Sequence, residues 1–245
     1  REGGWLWLKS VGVVSEKGPQ GQPLKVIGIH TDISKRKHSE IALAEQADEL
    51  ALHNSVLQDL NKGAALLDIL GKLARHVESS HPEMLCSILL LDTEEARLRH
   101  GAAPSLPDFY NQQVDGLAIG MGVGSCGTAA FQGERVIVGD IATHPYWAKF
   151  VALAEQAGVK SCWSQPFKNR AGQVLGTFAI YHRSPCDPSA SEIALIESYA
   201  ELARLAVEQS RTAEDLRQYR LHLEKKVEER TVALSIAKEA AEAAN

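Results

Sequence analysis

The spacing of apolar residues divides the chain into four segments. Residues 1–33 contain two runs of strand-forming residues on either side of a turn-forming cluster at 16–21, and they predict a β-hairpin. The first run comprises Trp5, Trp7 and residues 11–14, and the second comprises residues 24–31. Because two or three strands cannot bury a core alone, this segment is expected to be the end of a domain whose first part precedes the sequence.

Residues 34–65 have a helical pattern. Leu43, Leu50 and Leu57 are seven residues apart, and Ala64 is next in phase. This heptad spacing predicts a parallel helical linker that pairs with the same segment of a second copy. The alternative is a single amphipathic helix packed on its own domain.

Residues 66–187 alternate between helical and strand patterns, which is typical of an α+β domain. Their order, α-β-β-α-β-α-β-β, predicts an antiparallel sheet flanked by helices. The predicted strands are 86–92, 97–103, 135–139, 160–166 and 174–182, and the predicted helices are 65–78, a short one ending at 131, and 145–157. The strand at 135–139 is expected at the centre of the sheet.

Residues 188–245 contain two apolar rows with seven-residue spacing, offset from each other by four and three as in a coiled coil. The first row is Leu195, Leu202, Gln209, Leu216 and Leu223, and the second is Tyr199, Ala206, Ala213, Arg220, Val227, Leu234 and Ala241. No Pro or Gly follows Pro188. The pattern predicts one long helix and a homodimer through helices 34–65 and 195–244.

Composition and charge exclude several classes of protein. Hydrophobic residues make up 44% and charged residues 23% of the chain, which excludes a disordered or collagen-like protein. The net charge of −5 argues against a nucleic-acid partner. No apolar run is long enough to span a membrane. The four cysteines form no C-x-x-C pair, and scattered reduced cysteines favour a cytoplasmic location, either of a whole protein or of the cytoplasmic part of a membrane-anchored one.

Four strings in the middle segment, at 124–130, 136–141, 161–166 and 176–180, resemble those of GAF domains. The resemblance covers about half of the chain and is closest to the subclass found in bacterial sensor kinases and cyclic-di-GMP enzymes. It implies a GAF-like fold with a pocket for a small molecule. The sequence requires no cofactor, and the identity of any ligand is left open.

The two flanking segments carry further resemblances. Residues 4–7, 21–24 and 27–37 resemble the C-terminal end of a PAS domain, whose ligand-binding front would be missing. Residues 227–234 and 237–245 resemble the helix that leads into the dimerisation domain of histidine kinases. The sequence lacks the phosphoacceptor histidine and the ATP-binding residues of such a kinase, so no catalytic residue is assigned.

Cys126 lies in a glycine-dense loop, 120–127, that precedes a helix. A phosphate cradle is one interpretation, but no Gly-Lys-Ser/Thr follows, and turns that require positive φ explain the glycines equally well. Free methionine-(R)-sulfoxide reductases are GAF domains with a similar Gly-x-Cys-Gly-Thr-Ala string. That resemblance implies a second cysteine within 154–158, which this sequence lacks, and Cys162 substitutes only if the fold brings it near.

The remaining candidates for a ligand pocket lie on the following strands and turns. Asp140, His144 and Trp147 place a carboxylate, an imidazole and an indole within eight residues, although Thr143 and Pro145 also read as a helix start. On the strand at 160–166, Cys162 and Ser164 share one face and Trp163 takes the other. Phe178 completes the set. A bilin or haem cofactor is disfavoured. If a haem did bind, His100, His144 and His182 are the residues that could serve as its axial ligand.

These patterns together predict the sensory and signal-relay region of a two-component sensor histidine kinase. Its missing kinase domain would use ATP and phosphorylate a response regulator. One alternative is the sensor region of a cyclic-di-GMP synthase or hydrolase, and a second is a GAF-type thiol enzyme.

Overall fold

The computed structural model describes the backbone of residues 6–243, and the side chains of that range except at 45, 232, 233 and 235–243. Trp5 of the predicted first strand and the side chain of Ala241 lie outside the described residues. The chain divides into two compact units, residues 1–55 and 56–245.

The first unit contains the predicted hairpin. Strands β1 (Leu8–Lys17) and β2 (Pro23–Asp32) pair antiparallel. The Asp32 carboxylate accepts a hydrogen bond from the Ser34 backbone N–H (2.8 Å) and thereby caps helix α1 (Ser34–Asn61). Every residue of both strands is exposed. The hairpin therefore buries no core within this unit, as its length predicts.

Helix α1 ends earlier than the heptad pattern predicts. The helix was expected to continue to residue 65, but it stops at Asn61, and Ala64 lies in the following turn. Gly63 adopts φ +73°, a left-handed conformation that ends helices. The first three leucines of the predicted row are therefore helical, whereas Ala64 is not.

The second unit is built on a six-stranded antiparallel sheet with the order β5-β4-β3-β8-β7-β6. Its strands are β3 (Leu85–Asp92), β4 (Arg97–Ala102), β5 (Leu117–Ala118), β6 (Val136–Val138), β7 (Ser161–Lys168) and β8 (Val174–His182). The antiparallel α+β fold is confirmed. The central position predicted for the strand at 135–139 is wrong, because β6 pairs only with β7 and forms an edge. Its outer residue, Ile137, is exposed between two buried valines.

Helices cover both faces of this sheet. Helix α2 (Leu66–Ser80) and helix α6 (Ala190–Ala243) pack on one face. The other face carries α3 (Asp108–Val114), α4 (Gly124–Gln132), a 3₁₀ turn (Pro145–Trp147) and α5 (Val151–Ala157). The sequence did not predict α3 and β5. The helix predicted over 145–157 is split, since residues 148–150 separate the 3₁₀ turn from α5.

The first part of α6 packs on its own sheet. Tyr199, Leu202 and Ala206 are buried, and the Tyr199 ring lies 5.9 Å from the Phe178 ring of β8. Beyond residue 210 the same rows are exposed, with Leu216 at 64% and Val227 at 64%. The heptad pattern from 195 to 206 therefore reflects packing within the chain, and only the later part of α6 leaves its apolar rows open to a second copy.

Among the described residues, no helix combines the length and the apolar character required to cross a lipid bilayer.

Candidate functional site

A largely apolar cavity lies on the sheet face that α3, α4 and α5 cover. The cavity is narrow: about 30 Å³ is open to the centres of water-sized molecules, within about 370 Å³ of non-atom space that includes its open mouth. It is lined by Tyr110, Gln113, Val114, Leu117, Val123, Gly124, Ser125, Cys126, Trp147, Phe150, Leu153 and Tyr181. Concave, mostly apolar sites with a few polar groups are typical of small-molecule binding.

The glycine-dense loop positions the first turn of α4 against this cavity. Gly122 and Gly124 have φ values of +74° and +57°, which glycine adopts without strain. A side chain at Gly127 would place its Cβ 2.8 Å from the Val123 side chain, so the loop also requires a bare backbone there. These requirements support the turn interpretation of the glycines, and no lysine of the phosphate-binding kind stands beside them.

Ser125 connects three elements at the cavity wall. Its hydroxyl donates to the Cys162 backbone carbonyl (3.1 Å) and accepts from the indole Nε1–H of Trp147 (2.9 Å). Both side chains are buried. The serine therefore holds α4, β7 and the 3₁₀ turn in a fixed relation, and it keeps the Trp147 ring in place as one wall of the cavity.

Cys126 is the reactive group with the most unusual surroundings. Its sulfur lies 3.7 Å from the Tyr181 hydroxyl, and its other polar neighbours are Cys162, Ser164 and Thr177. The influence of the Cys162 thiol, together with that of the three nearby hydroxyls, outweighs burial and lowers the pKa of Cys126 to about 7. Burial, followed by the interaction with Cys126, raises the pKa of Cys162 well above its usual range.

Two tyrosines close the inner end of the cavity. The Tyr110 and Tyr181 rings meet edge to face with centroids 6.0 Å apart, and the Tyr181 hydroxyl lies 3.1 Å from the Ser87 hydroxyl. Burial raises the pKa of both phenols well above the usual value. Both rings therefore stay neutral near pH 7 and offer hydroxyl groups to the interior.

The structure brings together four of the residues that the sequence selected. Cys126 and Trp147 line the cavity. Cys162 and Ser164 lie beside Cys126 on the same sheet face, so the fold meets the condition that Cys162 approach Cys126. A role for these residues in ligand binding stays a prediction.

The other four candidates lie away from the lining of this cavity. Asp140 accepts hydrogen bonds from Ala142 and Thr143, and His144 accepts one from the Tyr146 backbone N–H (3.2 Å), so both carboxylate and imidazole hold the turn before Trp147. Trp163 and Phe178 lie on the opposite sheet face, towards α6. There the Trp163 indole donates to the Cys186 carbonyl (3.2 Å) and its ring lies 4.6 Å from His182.

Sequence reasoning did not select Tyr110, Ser125 or Tyr181 for the site. Ser125 is next to Cys126 within the string at 124–130, and Tyr181 directly follows the string at 176–180. Strand alternation places Tyr181 on the same face as Thr177 and Ala179, which would have linked it to Cys162. Tyr110 lies on α3, whose seven residues are too short for a clear helical period.

Comparison with known proteins agrees with this architecture. The GAF domain family model matches residues 64–208. The Methyl sulfide methyltransferase-associated sensor of Methanosarcina acetivorans is 37% identical over 191 residues, which is 78% of this chain and 18% of that protein. The chain therefore spans less than a fifth of the length of this relative.

Solved structures show the same fold at low sequence identity. The GAF domain of a phosphoenolpyruvate-protein phosphotransferase from Coxiella burnetii is 19% identical, with a TM-score of 0.55 over 69% of this chain and 98% of that one. Free methionine-R-sulfoxide reductase from Neisseria meningitidis, solved with its substrate, is 18% identical, with a TM-score of 0.54 over 67% of this chain and 89% of that one. With its curled antiparallel sheet, its flanking helices and the family match over more than half of its length, this chain belongs to the GAF domain family.

Proposed function

We propose that the chain is the sensory and signal-relay region of a cytoplasmic two-component sensor histidine kinase. In this proposal, residues 1–33 are the end of a PAS domain, 34–65 a helical linker, 66–187 the GAF domain and 188–245 the output helix. The kinase domain with its ATP site acts outside these residues, as does the response regulator.

The continuity of α6 carries the proposal. The helix is unbroken from Ala190 to Ala243. Its first part is buried against the sheet through Tyr199 and neighbouring residues, whereas its later part exposes Leu216, Leu223 and Val227. A shift of the sheet would therefore move the whole of α6. The exposed apolar residues of its later part form a seam that is suited to pairing with a second copy of the chain.

The cavity supplies a place for a signal to act. A small, largely apolar molecule bound beside Cys126 and Trp147 would contact α4, the 3₁₀ turn and β8 together. In this proposal, Asp140 and His144 act by holding the turn that carries Trp147. A ligand that binds one helix arrangement about 1.4 kcal/mol more tightly than the other changes the ratio of the two states tenfold.

Two further observations support parts of the proposal. The relative from Methanosarcina acetivorans is named as a sensor, and it extends well beyond the matched region, as a multidomain sensor would. The β1–β2 hairpin exposes apolar side chains on both faces, with Val13 and Ile29 on one face and Val14 and Val26 on the other. This is the surface expected where the rest of a PAS domain would pack.

The relay is tested with a chimera in which residues 1–245 precede the dimerisation and catalytic domains of a characterised histidine kinase. Insertion of one residue between Gln209 and Leu216 rotates the seam by about 100°, whereas insertion of a full heptad restores its phase. We expect the single insertion to change autophosphorylation strongly and the heptad insertion to change it little. Equal activities of the two chimeras would refute the relay.

The same chimera design addresses the cyclic-di-GMP alternative. Fusion to a cyclic-di-GMP synthase domain in place of the kinase tests whether α6 controls that output instead. Phase-dependent activity only in the synthase fusion would favour the alternative.

The contact between Cys126 and Cys162 keeps the thiol enzyme as a second candidate. Its test is turnover of free methionine-(R)-sulfoxide with a thiol reductant. Reduction above background that is lost in the Cys126→Ser variant would favour an enzyme over a sensor.

A further inference from the structure

The two cysteines at the inner wall of the cavity form an asymmetric pair. Cys126 on α4 lines the cavity and keeps 6% of its surface exposed, whereas Cys162 on β7 is fully buried behind it. Cys162 pairs with Tyr181 across β7 and β8, and the Tyr181 hydroxyl lies 3.7 Å from the Cys126 sulfur, while Ser125, next to Cys126, donates to the Cys162 carbonyl. The two thiols are therefore close enough to influence each other's pKa. A molecule entering the cavity therefore reaches the Cys126 sulfur first, and Cys162 is the adjacent thiol that can react next.

Hydroxyl groups around Cys126 have unused donor capacity. Ser164 and Thr177 are both fully buried, and among the described residues neither hydroxyl has a hydrogen-bond partner at ordinary geometry. Both lie near enough to the Cys126 sulfur to lower its pKa. A buried hydroxyl without an acceptor destabilises the fold. An anionic sulfur at Cys126 would accept from both groups and offset part of that destabilisation.

The Tyr181 hydroxyl completes this surround. It lies 3.7 Å from the Cys126 sulfur, and because burial keeps the phenol neutral it can donate to a thiolate. Cys86 is a contrasting thiol in the same domain. It lies on the opposite sheet face, and burial followed by the charge of Glu78 raises its pKa well above the usual range. The site around Cys126 thus favours the nucleophilic form of sulfur, which is the form that reacts with oxidants.

We propose that Cys126 is a site of oxidation by small hydroperoxides and that Cys162 converts the oxidised sulfur to a disulfide. The Cys126 thiolate attacks the terminal peroxide oxygen, the O–O bond breaks, and the leaving oxygen takes a proton to give water or an alcohol. The resulting sulfenic acid is attacked by the Cys162 sulfur, so that an S–S bond forms, the S–O bond breaks and water leaves. The two thiols supply two electrons, and the peroxide is the two-electron oxidant.

The disulfide would link α4 to β7 covalently. The neighbour of Cys162 on β7, Trp163, faces α6. Oxidation in the cavity would therefore change the strand against which the output helix packs. The redox chemistry does not depend on the proposed sensor function, and only this last consequence rests on it.

The first test treats the freshly reduced, folded chain with hydrogen peroxide, blocks free thiols under denaturing conditions and maps cysteines by peptide mass spectrometry. We expect the loss of two hydrogen masses and a peptide pair that joins Cys126 to Cys162. The proposal is overturned if Cys126 and Cys162 both stay alkylatable at a peroxide dose that oxidises the more exposed Cys186, or if the disulfide that forms contains Cys186.

Variants assign the two roles. In Cys162→Ser, we expect a stable sulfenic acid at Cys126 that dimedone traps, and in Cys126→Ser we expect no oxidation at Cys162. Cys86→Ser is the matched control, a buried cysteine on the other face, and we expect it to leave the disulfide unchanged. Tyr181→Phe removes one donor to the thiolate and should slow oxidation near pH 7 about tenfold.

Other outcomes are equally informative. A sulfenic acid at Cys126 that persists in the wild-type chain would overturn the role of Cys162, and dimedone labelling at Cys162 in Cys126→Ser would overturn the order of attack. Because mapping the wild-type chain needs no substitution, a variant that fails to fold does not leave the proposal untested. A chain that forms the disulfide but shows no phase dependence in the kinase chimera would refute the relay alone.

Discussion

Replacing Ser125 with alanine tests the connection between the cavity and the sheet. The substitution removes one oxygen that donates to the Cys162 carbonyl and accepts from the Trp147 indole. The carbonyl belongs to β7, which pairs with strands on both sides, whereas the indole N–H is left buried without this acceptor. An unsatisfied buried donor costs about 1–3 kcal/mol, and a lost neutral hydrogen bond about 1 kcal/mol. We therefore expect Ser125→Ala to lower the free energy of unfolding by about 2–4 kcal/mol.

The assay is urea denaturation of the second unit, followed by far-UV circular dichroism and by NMR signals of the indole N–H groups. In the variant, the Trp147 indole signal should shift and its hydrogen should exchange faster with solvent. Ser79→Ala is the control, since Ser79 is exposed and its hydroxyl donates to a carbonyl one helical turn away. We expect that variant to change stability by less than about 0.5 kcal/mol.

A double-mutant cycle with Trp147→Phe isolates the indole bond. Phenylalanine removes the N–H while keeping an aromatic wall, so Ser125→Ala should cost about 1–2 kcal/mol less in that background. If Ser125→Ala costs the same in both backgrounds, the bond between the two side chains makes no contribution and the reasoning fails. A cost below about 0.5 kcal/mol in the wild-type background would refute it more directly.

Three further substitutions, two of them with a matched control variant, test the packing of the sheet, the titration of His182 and the dimer. Gly101→Ala places a Cβ 2.7 Å from a backbone carbonyl of β3 and should cost about 2 kcal/mol in urea denaturation, whereas Gly120→Ala makes only ordinary contacts and should change stability by less than about 1 kcal/mol. Burial lowers the pKa of His182 below its unfolded value of about 6.5. Because the unfolded state then binds more protons, the free energy of unfolding should fall as pH drops below about 6.5. His182→Phe should make this dependence of stability on pH weaker, and an unchanged dependence would contradict the assignment. Leu223→Glu, on the exposed seam of α6, should weaken dimerisation in sedimentation velocity, and Leu221→Glu, an exposed leucine off the seam, should not; an equal effect of both would argue against the seam.

Much of the second unit follows from local pattern. The apolar run of β3 and the alternation along β7 and β8 identified strands within one or two residues of their bounds. The same alternation correctly separated Cys162 from Trp163. A short apolar triplet such as 136–138 does not reveal its position in a sheet, because Val136 and Val138 are buried on a single face at an edge.

The heptad pattern shows a different limit. Tyr199, Leu202 and Ala206 fit a coiled coil as well as they fit a helix on a sheet, because both arrangements bury residues at intervals of three and four. The pattern alone therefore does not identify the partner surface. The candidate site could likewise be predicted only in part, because the contact of Cys126 with Tyr181 joins residues that are 55 positions apart in the sequence.

Strand β7 has one consequence for how this domain can diverge. Its consecutive residues Cys162 and Trp163 point to opposite faces of the sheet. The same strand therefore separates the cavity on one face from the surface that packs against α6 on the other. A substitution in this strand that changes the shape of the cavity also changes the surface on which α6 packs, so a second substitution on the opposite sheet face would be needed to keep the position of the helix. Relatives that recognise different molecules are therefore expected to differ first at α3, α5 and the 3₁₀ turn, where the lining of the cavity can change without altering the surface that packs against α6.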